Sequence, residues 1–313
     1  MDAVSELDDL SSPDVLIVGE ALVDIVHRAD GSVDEKPGGS PANVALTLGR
    51  LERHPRLLTS FGRDAPGNAL RAWLDTSRVR VHGAPSEFTS TAVAHVGADG
   101  SATYSFSIAW DVDADSESDA DVLHVGSIAA VLEPGASAVS DFVDRHRGRG
   151  LVSYDPNVRP RLMKNEGDVR ARMLGLIERA DVVKASDEDL EWLHPGEPIA
   201  DVARQWVRSG PLLVVVTRGG RGALAVTNEL EIDVPGVPVE VVDTVGAGDT
   251  FMGALIDGLL TEGVFGSNAR SALQTLEKRR LSTLLSRAAK AAAVTVSRPG
   301  ADPPTLAELD ATD

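Results

Sequence analysis

The sequence predicts an α/β fold of the doubly wound kind, a mostly parallel sheet with helices on both faces. Three observations carry this. Short apolar runs of strand length recur along the chain, the first of them ending at glycine. Segments of helical periodicity fall between them, and one pair of alternating polar and apolar runs near the front stands outside the pattern.

Residues 1–13 are acidic and Ser-rich and read as a disordered tail. The run 14–19 (DVLIVG) reads as the first buried strand, with further strands at 121–125, 150–154, 181–184 and 211–217 and an apolar, β-rich run at 237–242. Helical patterns occupy 42–51, 135–145, 169–179, 199–207 and 250–260. Strands alternating with helices make parallel βαβ units, and open sheets of such units bind ligands beyond the carboxyl ends of their strands. The exception is the pair 90–97 and 101–107, joined by Ala98-Asp99-Gly100, a hairpin signal. Inserted around 86–110, it is expected as a small sheet outside the core. No repeat or low-complexity linker divides the chain, so one domain is expected over 14–305, with 306–313 a C-terminal tail.

At 313 residues the chain can bury a full core. Its 30 Lys plus Arg against 48 Asp plus Glu give a net charge of −18, which argues against a nucleic-acid or anionic-membrane surface. Cysteine is absent, which excludes disulfides, thiolate–zinc sites and cysteine nucleophiles and fits a cytoplasmic location. No apolar run approaches a membrane span, and the N-terminus is acidic where a secretory signal would be basic. The acid-rich run 111–121 fails as a calcium loop, because Ser116 stands where Gly is needed and Val122 where Glu is needed; it reads as a solvated loop.

The most informative stretch is Asp243-Thr244-Val245-Gly246-Ala247-Gly248-Asp249-Thr250-Phe251, where an apolar run feeds a helix. The first N–H groups of a helix lack intrahelical acceptors and the macrodipole adds positive charge, so Gly246, Ala247 and Gly248 can present bare amides to a phosphate. Asp249 would repel that phosphate at rest, yet it suits taking a proton from a hydroxyl that attacks it. An ordinary strand-to-helix turn with Asp as a cap is the plainer alternative. Two competing motifs fail: Phe251 stands at the third glycine of a dinucleotide fingerprint, and no Gly-Lys-Ser/Thr occurs anywhere.

Other segments carry chemistry. In Lys36-Pro37-Gly38-Gly39-Ser40-Pro41-Ala42-Asn43, paired glycines allow close backbone approach, and Asn43 offers the donor and acceptor that suit a sugar diol. Tyr154-Asp155-Pro156-Asn157-Val158-Arg159 follows a buried strand, and Arg159, or Arg161 nearby, could grip phosphate through its planar fork. Val183-Lys184-Ala185-Ser186-Asp187-Glu188-Asp189 opens a short helix with Ser186 as its cap. Val216-Thr217-Arg218-Gly219-Gly220-Arg221-Gly222 ends a strand in a glycine-rich turn.

The segment 243–251 is similar to the C-terminal signature of the ribokinase/PfkB sugar kinases, and the stations fall in that family's order from about residue 14 to 305. The resemblance implies a ribokinase-like fold in which the hairpin at 90–107 belongs to a β-lid that often clasps a second subunit, giving a homodimer. It implies an ATP-dependent kinase in which Asp249 is the base and Gly246, Ala247 and Gly248 form the anion hole. It places a sugar on Asp24, Gly38, Gly39, Asn43 and Arg159, taking Gly19-Glu20-Ala21-Leu22-Val23-Asp24 as the end of the first strand. ATP would lie on Lys184, Ser186, Thr217, Gly219, Gly220, Gly222 and Gly248. Asp189 stands where the family usually has Glu, one methylene longer, in the magnesium shell, with Glu188 as its alternative. Many members hold potassium near the turn that here comprises Asp243, Val245, Thr295, Arg298 and Gly300. The turn Gly62-Arg63-Asp64-Ala65-Pro66-Gly67 matches a family element read as architectural.

Gly-Glu-Ala-Leu-Val-Asp together with Asp-Pro-Asn-x-Arg is most similar to the fructokinase-like branch, so the resemblance implies phosphorylation of fructose at its 6-hydroxyl. Kinases of 2-keto-3-deoxygluconate and of ribose are the alternatives within the family. A non-catalytic sugar-binding regulator is the alternative outside it, and an intact Asp249 argues against that, because binding alone requires no base.

Overall fold

The computed structural model describes residues 13–97, 102–113, 115, 119–163 and 165–311. The tail read at 1–13 lies, except for Pro13, outside the described residues, as does the turn Ala98-Asp99-Gly100.

Thirteen strands form among the described residues: β1 (Val15–Val18), β2 (Leu22–Arg28), β3 (Val33–Gly38), β4 (Arg56–Leu58), β5 (Arg80–His82), β6 (Thr91–Val96), β7 (Ala102–Ser107), β8 (Val122–Gly126), β9 (Leu151–Asp155), β10 (Val182–Ser186), β11 (Leu213–Thr217), β12 (Ala223–Val226) and β13 (Glu231–Val234). The helices are α1 (Ser40–Arg50), α2 (Ala65–Asp75), α3 (Gly135–His146), α4 (Glu166–Arg179), α5 (Asp187–Leu193), α6 (Ile199–Ser209), α7 (Ala247–Thr261), α8 (Ala269–Gln274), α9 (Lys278–Val296) and α10 (Leu306–Asp310).

Nine strands make the main sheet in the order β13-β12-β11-β10-β9-β8-β1-β4-β5. From β11 to β5 every pairing is parallel, while β12 and β13 add an antiparallel edge. The chain begins at β1, builds to one side through β4 and β5, then crosses to β8 on the other side. The crossing opens a crevice at the carboxyl ends of β1 and β8, the place where such sheets bind ligands. The parallel strands are apolar on both faces because helices cover both. One apolar cluster joins the sheet to α1, α2, α7, α8 and α9, and the other joins it to α3, α4, α5 and α6.

Helix α7 is apolar nearly all round, with every residue from Thr250 to Leu260 buried. It packs between α1 and α9. Truncating Leu255 or Leu259, neither of which reaches solvent, to Ala would cost about 2–5 kcal/mol.

A second sheet has the order β3-β2-β6-β7. The expected hairpin is present as β6 and β7, paired antiparallel from Thr91↔Ser107 to Val96↔Ala102. It is half of the lid. The other half, β2 and β3, comes from before the first helix, and β2 joins β6 in parallel. Asp24 is therefore not at the end of the first strand but within β2, on the lid.

Two further readings are corrected. The run 237–242 is not a strand: Val237, Val239, Val241 and Val242 are exposed in an irregular segment. Pro235 and Pro238 cannot donate to a ladder, and β13 ends at Val234 without a further partner. Nor do residues 306–311 of the expected C-terminal tail hang free. Thr305 caps α10 in a capping box with Glu308, and Leu309 is fully buried.

Candidate active site

A cavity of about 930 Å3 opens at the carboxyl ends of β1, β8, β9, β10 and β11 and is roofed by the lid. Asp249 is in its wall, at the third position of α7, whose N-cap is Gly246. Gly246 has φ 76°, and a Cβ there would come within 2.5 Å of the Ala301 side chain. Only glycine lets the chain turn into the helix so tightly.

The Asp249 carboxylate is held on both oxygens. Ser40 Oγ donates to Oδ1 at 2.6 Å, and Asn43 Nδ2 donates to Oδ2 at 2.7 Å. Both donors come from the first turn of α1, whose N-cap Gly39 sits at φ 104° with no room for a side chain against the Glu20 carbonyl. Asn43 is therefore first a partner of Asp249. Its Oδ1, buried and without a hydrogen-bond partner, remains free to accept from a ligand hydroxyl. Ser40 was not singled out from the sequence, since a helix-entry Ser gives no local sign of a partner 209 residues away.

Asp24 lines the same cavity from β2, and Gly38, having no Cβ, leaves space for its carboxylate, with Oδ2 at 2.9 Å from the position a Cβ would take. Burial raises the pKa of Asp24, and Arg159 and Lys36 counter it. Arg159 lines the same cavity, its Nη1 donating to the Val158 carbonyl at 3.0 Å. Arg161 points elsewhere and lies over the Tyr104 ring of the lid at 4.4 Å.

Lys184 is nearly sealed from solvent and pairs with the fully buried Asp155 at 2.7 Å. Burial works against its charge, but Asp155, Asp189 and Asp249 outweigh that and hold it above the ordinary lysine value. Its Nζ lies 3.1 Å from where a side chain at Gly248 would begin, so glycine is what admits the ammonium to the helix N-terminus. The motif around Asp155 carries no local sign of this pairing; the parallel registration of β9 beside β10 brings it to Lys184.

Asp189 is tied into a capping box. Its Oδ2 accepts from the Ser186 N–H at 2.8 Å, its Oδ1 from the Val158 N–H at 2.7 Å, and Ser186 Oγ accepts from the Asp189 N–H at 3.0 Å. The exposed Glu188 lines the cavity without such ties. Thr217 and Gly219 line the cavity too, whereas Gly220 and Gly222 lie behind them in the same turn, before β12.

The turn expected to hold a monovalent cation is only partly assembled by side chains. Asp243 accepts from the N–H groups of Val245 at 3.0 Å and Gly300 at 2.8 Å. Burial pushes its carboxyl up, yet these bonds and Lys36 hold it below the usual range. Thr295 Oγ1 instead hydrogen-bonds to the Thr250 hydroxyl and lies within reach of the Ala291 carbonyl, and Arg298 pairs with Glu308.

Three residues of the floor have no local sequence signal of a role. Glu20, 4% exposed, accepts from the Ala129 N–H at 3.1 Å, and burial pushes its carboxyl up to about 7. Beside it Ser127 has φ 56° and ψ −152°, a region essentially reserved for glycine. Asn157, at φ 40°, reaches Ser127 Oγ at 3.4 Å. Such backbone is maintained only where the surroundings over-determine it, and here β8 and β9 do so.

The arrangement can therefore hold a polyol between Asp24, Asn43 and Asp249, place an anion on the N-terminus of α7 beside Lys184, and remove a proton at Asp249. Among the described residues no three His, Asp or Glu cluster as a metal site, and no helix is long and apolar enough to cross a membrane.

The profile of the pfkB family of carbohydrate kinases matches residues 12–308. A fructokinase of Rhizobium leguminosarum bv. trifolii is 32% identical over 302 residues, covering 86% of this chain and 92% of that protein. The crystal structure of a fructokinase with bound ATP from Xylella fastidiosa superposes with a TM-score of 0.85 at 25% identity, covering 95% of this chain and 97% of that one. A fructokinase double mutant from Vibrio cholerae O395, bound to fructose, ADP and potassium ion, gives 0.81 at 28% identity over 96% and 98% of the two chains.

Proposed function

This chain belongs to the pfkB family of carbohydrate kinases, and within that family we propose that it is an ATP-dependent fructokinase, making fructose 6-phosphate. The observation that carries the reading is the Asp249 carboxylate, gripped by Ser40 and Asn43 at the N-terminus of α7, in one cavity with Asp24, Arg159, Lys184 and Thr217. The relatives phosphorylating or binding fructose support the choice of sugar.

Fructose lies between Asp24, Gly39, Asn43 and Arg159 with its 6-hydroxyl at Asp249; ATP spans the turn from Thr217 to Gly222 and ends at Gly246–Gly248. As the 6-oxygen attacks the terminal phosphorus, Asp249 takes its proton, the bond to the bridging oxygen breaks, and ADP leaves with that electron pair. The amides of Gly246, Ala247 and Gly248, with Lys184 beside them, stabilise the charge on the phosphoryl oxygens. Magnesium, bound with ATP, would supply further neutralisation of that charge. The donor set fits it: Asp189 and Glu188 line the cavity, each Asp189 oxygen keeps a lone pair beyond its backbone bond, and magnesium retains much of its water shell. Potassium would rest on the backbone of the turn that Asp243 ties to Val245 and Gly300, without the side chains of Thr295 and Arg298. The four-stranded lid, whose edge strands β3 and β7 have one neighbour each, is the surface through which we place a homodimer, and the enzyme would act in the cytoplasm.

Steady-state ADP release with fructose, 2-keto-3-deoxygluconate, ribose, glucose and adenosine tests the assignment. Fructose should give the highest kcat/KM, with a product phosphorylated at the 6-position. Sugar-dependent heat stabilisation without ADP release would overturn it in favour of a sugar sensor.

A further inference from the structure

A second cavity of about 420 Å3 lies at the carboxyl ends of β4 and β5, on the edge of the main sheet, and shares no lining residue with the catalytic cavity. Two guanidinium groups line it. Arg63 comes from the loop after β4, and Arg71 comes from α2, lying over the Phe61 ring at 5.3 Å. In a chain with a net charge of −18 most arginines have found a carboxylate: Arg50, Arg53, Arg56, Arg179, Arg204 and Arg218 are all ion-paired. Arg63 and Arg71 have none among the described residues.

The acid that follows Arg63 in the chain does not answer them. Asp64 accepts from the N–H groups of Gly67 and Thr89 at 2.9 and 2.8 Å and from the Thr89 hydroxyl, so its oxygens are committed to the backbone of the loop. The rest of the lining divides by character. Phe61 and Val81 give an apolar floor, and His82 stands at the end of β5. Thr59, 2% exposed, also lines the cavity, and its Oγ1 has no hydrogen-bond partner. Two uncommitted forks beside an apolar floor match an anion carried on a short carbon skeleton, and guanidinium binds phosphoryl oxygens bidentately.

The walls of this cavity are also the root of the lid. Ser86 N–H donates to the Phe61 carbonyl at 3.2 Å, and Gly62 N–H donates to Thr89 Oγ1 at 3.0 Å. Thr89 is two residues before β6, and the adjoining Ser90 accepts from Val23 of β2. A ligand held between Arg63, Arg71 and the segment 81–85 would therefore brace the loop that leads into β6, whose Ser90 carbonyl also accepts from the second residue of β2.

We propose that this cavity binds a small phosphomonoester through Arg63 and Arg71, with its carbon skeleton on Phe61 and Val81, and that occupancy steadies the lid and lowers the KM for the sugar. The probe is 3-phosphoglycerate, titrated calorimetrically into the full chain while fructose and a non-hydrolysable ATP analogue fill the catalytic cavity. Saturable binding is expected, weakened by about tenfold or more in Arg63→Ala/Arg71→Ala, the scale of a lost charge-assisted bond. Without the probe the double variant should keep the wild-type kcat and KM, because both side chains are exposed and outside the catalytic cavity. With the probe, KM should fall in the wild type only. Arg71→Gln alone, which leaves a polar side chain on Phe61, should weaken binding in the same direction. Absence of binding at millimolar probe, undiminished binding in the double variant, or binding abolished by filling the catalytic cavity would each overturn the site. Binding with no change in KM would overturn the link to the lid.

Discussion

Ser40 Oγ lies 2.6 Å from Asp249 Oδ1, a buried hydrogen bond between the first turn of α1 and the first turn of α7. With Asn43 on the other oxygen, it fixes the carboxylate in one orientation toward the cavity. Asp249→Asn should leave fructose and ATP binding nearly intact while kcat falls by roughly 10²- to 10⁴-fold, the range for a lost general base. Ser40→Ala should lower kcat by roughly 10- to 100-fold, as a bond to a charged group is worth about 1.5–3 kcal/mol. Steady-state kinetics with isothermal titration checks both; an Asp249→Asn enzyme with most of its kcat would refute the assignment of the base.

Arg159 and Arg161 face different tasks. Arg159 is within the catalytic cavity near Asp24 and Glu20, whereas Arg161 stacks on Tyr104 of the lid. Arg159→Ala is expected to raise the KM for sugar or ATP, or to lower kcat, by roughly tenfold or more. Arg161→Ala removes a cation–π contact of about 0.5–1 kcal/mol and should change KM only a few-fold. Equal, small effects at both positions would return Arg159 to the solvated surface.

The capping box gives Asp189 a structural duty beside any duty to magnesium. Asp189→Ala would strand the buried N–H of Val158 and that of Ser186, and it should destabilise the fold by about 2–4 kcal/mol, combining a lost cap with an unsatisfied donor. Glu188→Ala should stay within about 0.5 kcal/mol. Denaturant unfolding measures both. A stable Asp189→Ala enzyme whose only defect is a raised magnesium requirement would show the metal role to be the larger.

Glu20 ionises near 4.5 when exposed and is pushed up to about 7 by burial. From pH 4.5 to 7 the unfolded chain releases this proton while the folded chain keeps it, so the stability present below 4.5 is lost as pH rises through 7. Glu20→Gln stays neutral throughout, and its amide oxygen can still accept from the Ala129 N–H. Its Tm should therefore rise relative to the wild type between pH 5 and pH 8. A difference in Tm that does not vary with pH would show that Glu20 does not titrate in this window.

Much of this molecule is local in origin. The strands at 14–19, 121–125, 150–154, 181–184 and 211–217 are apolar runs that only a doubly covered parallel sheet can bury, and each is found within a residue or two of its expected place. Gly246, Ala247, Gly248 and Asp249 could be read as a helix N-terminus because its chemistry is held in four consecutive residues. What failed was also instructive. The apolar run 237–242 has strand composition, but its prolines and the lack of a partner leave it irregular. Leu309 looked like part of a tail because burial of a single leucine has no periodic signature.

The sequence alone thus determined the sheet class and the glycine-rich helix start that carries Asp249, the proposed base, since each depends on residues adjacent in the chain or on a repeating period. Only the tertiary structure decided that Asp24 reaches the site from a lid strand, that Ser40 and Asn43 hold Asp249, that Lys184 pairs with Asp155, and that Arg63 and Arg71 share a cavity. These are encounters between side chains far apart in sequence, set by strand order and helix packing, and a hydrogen bond or ion pair of that kind leaves no mark on the residues immediately around either partner.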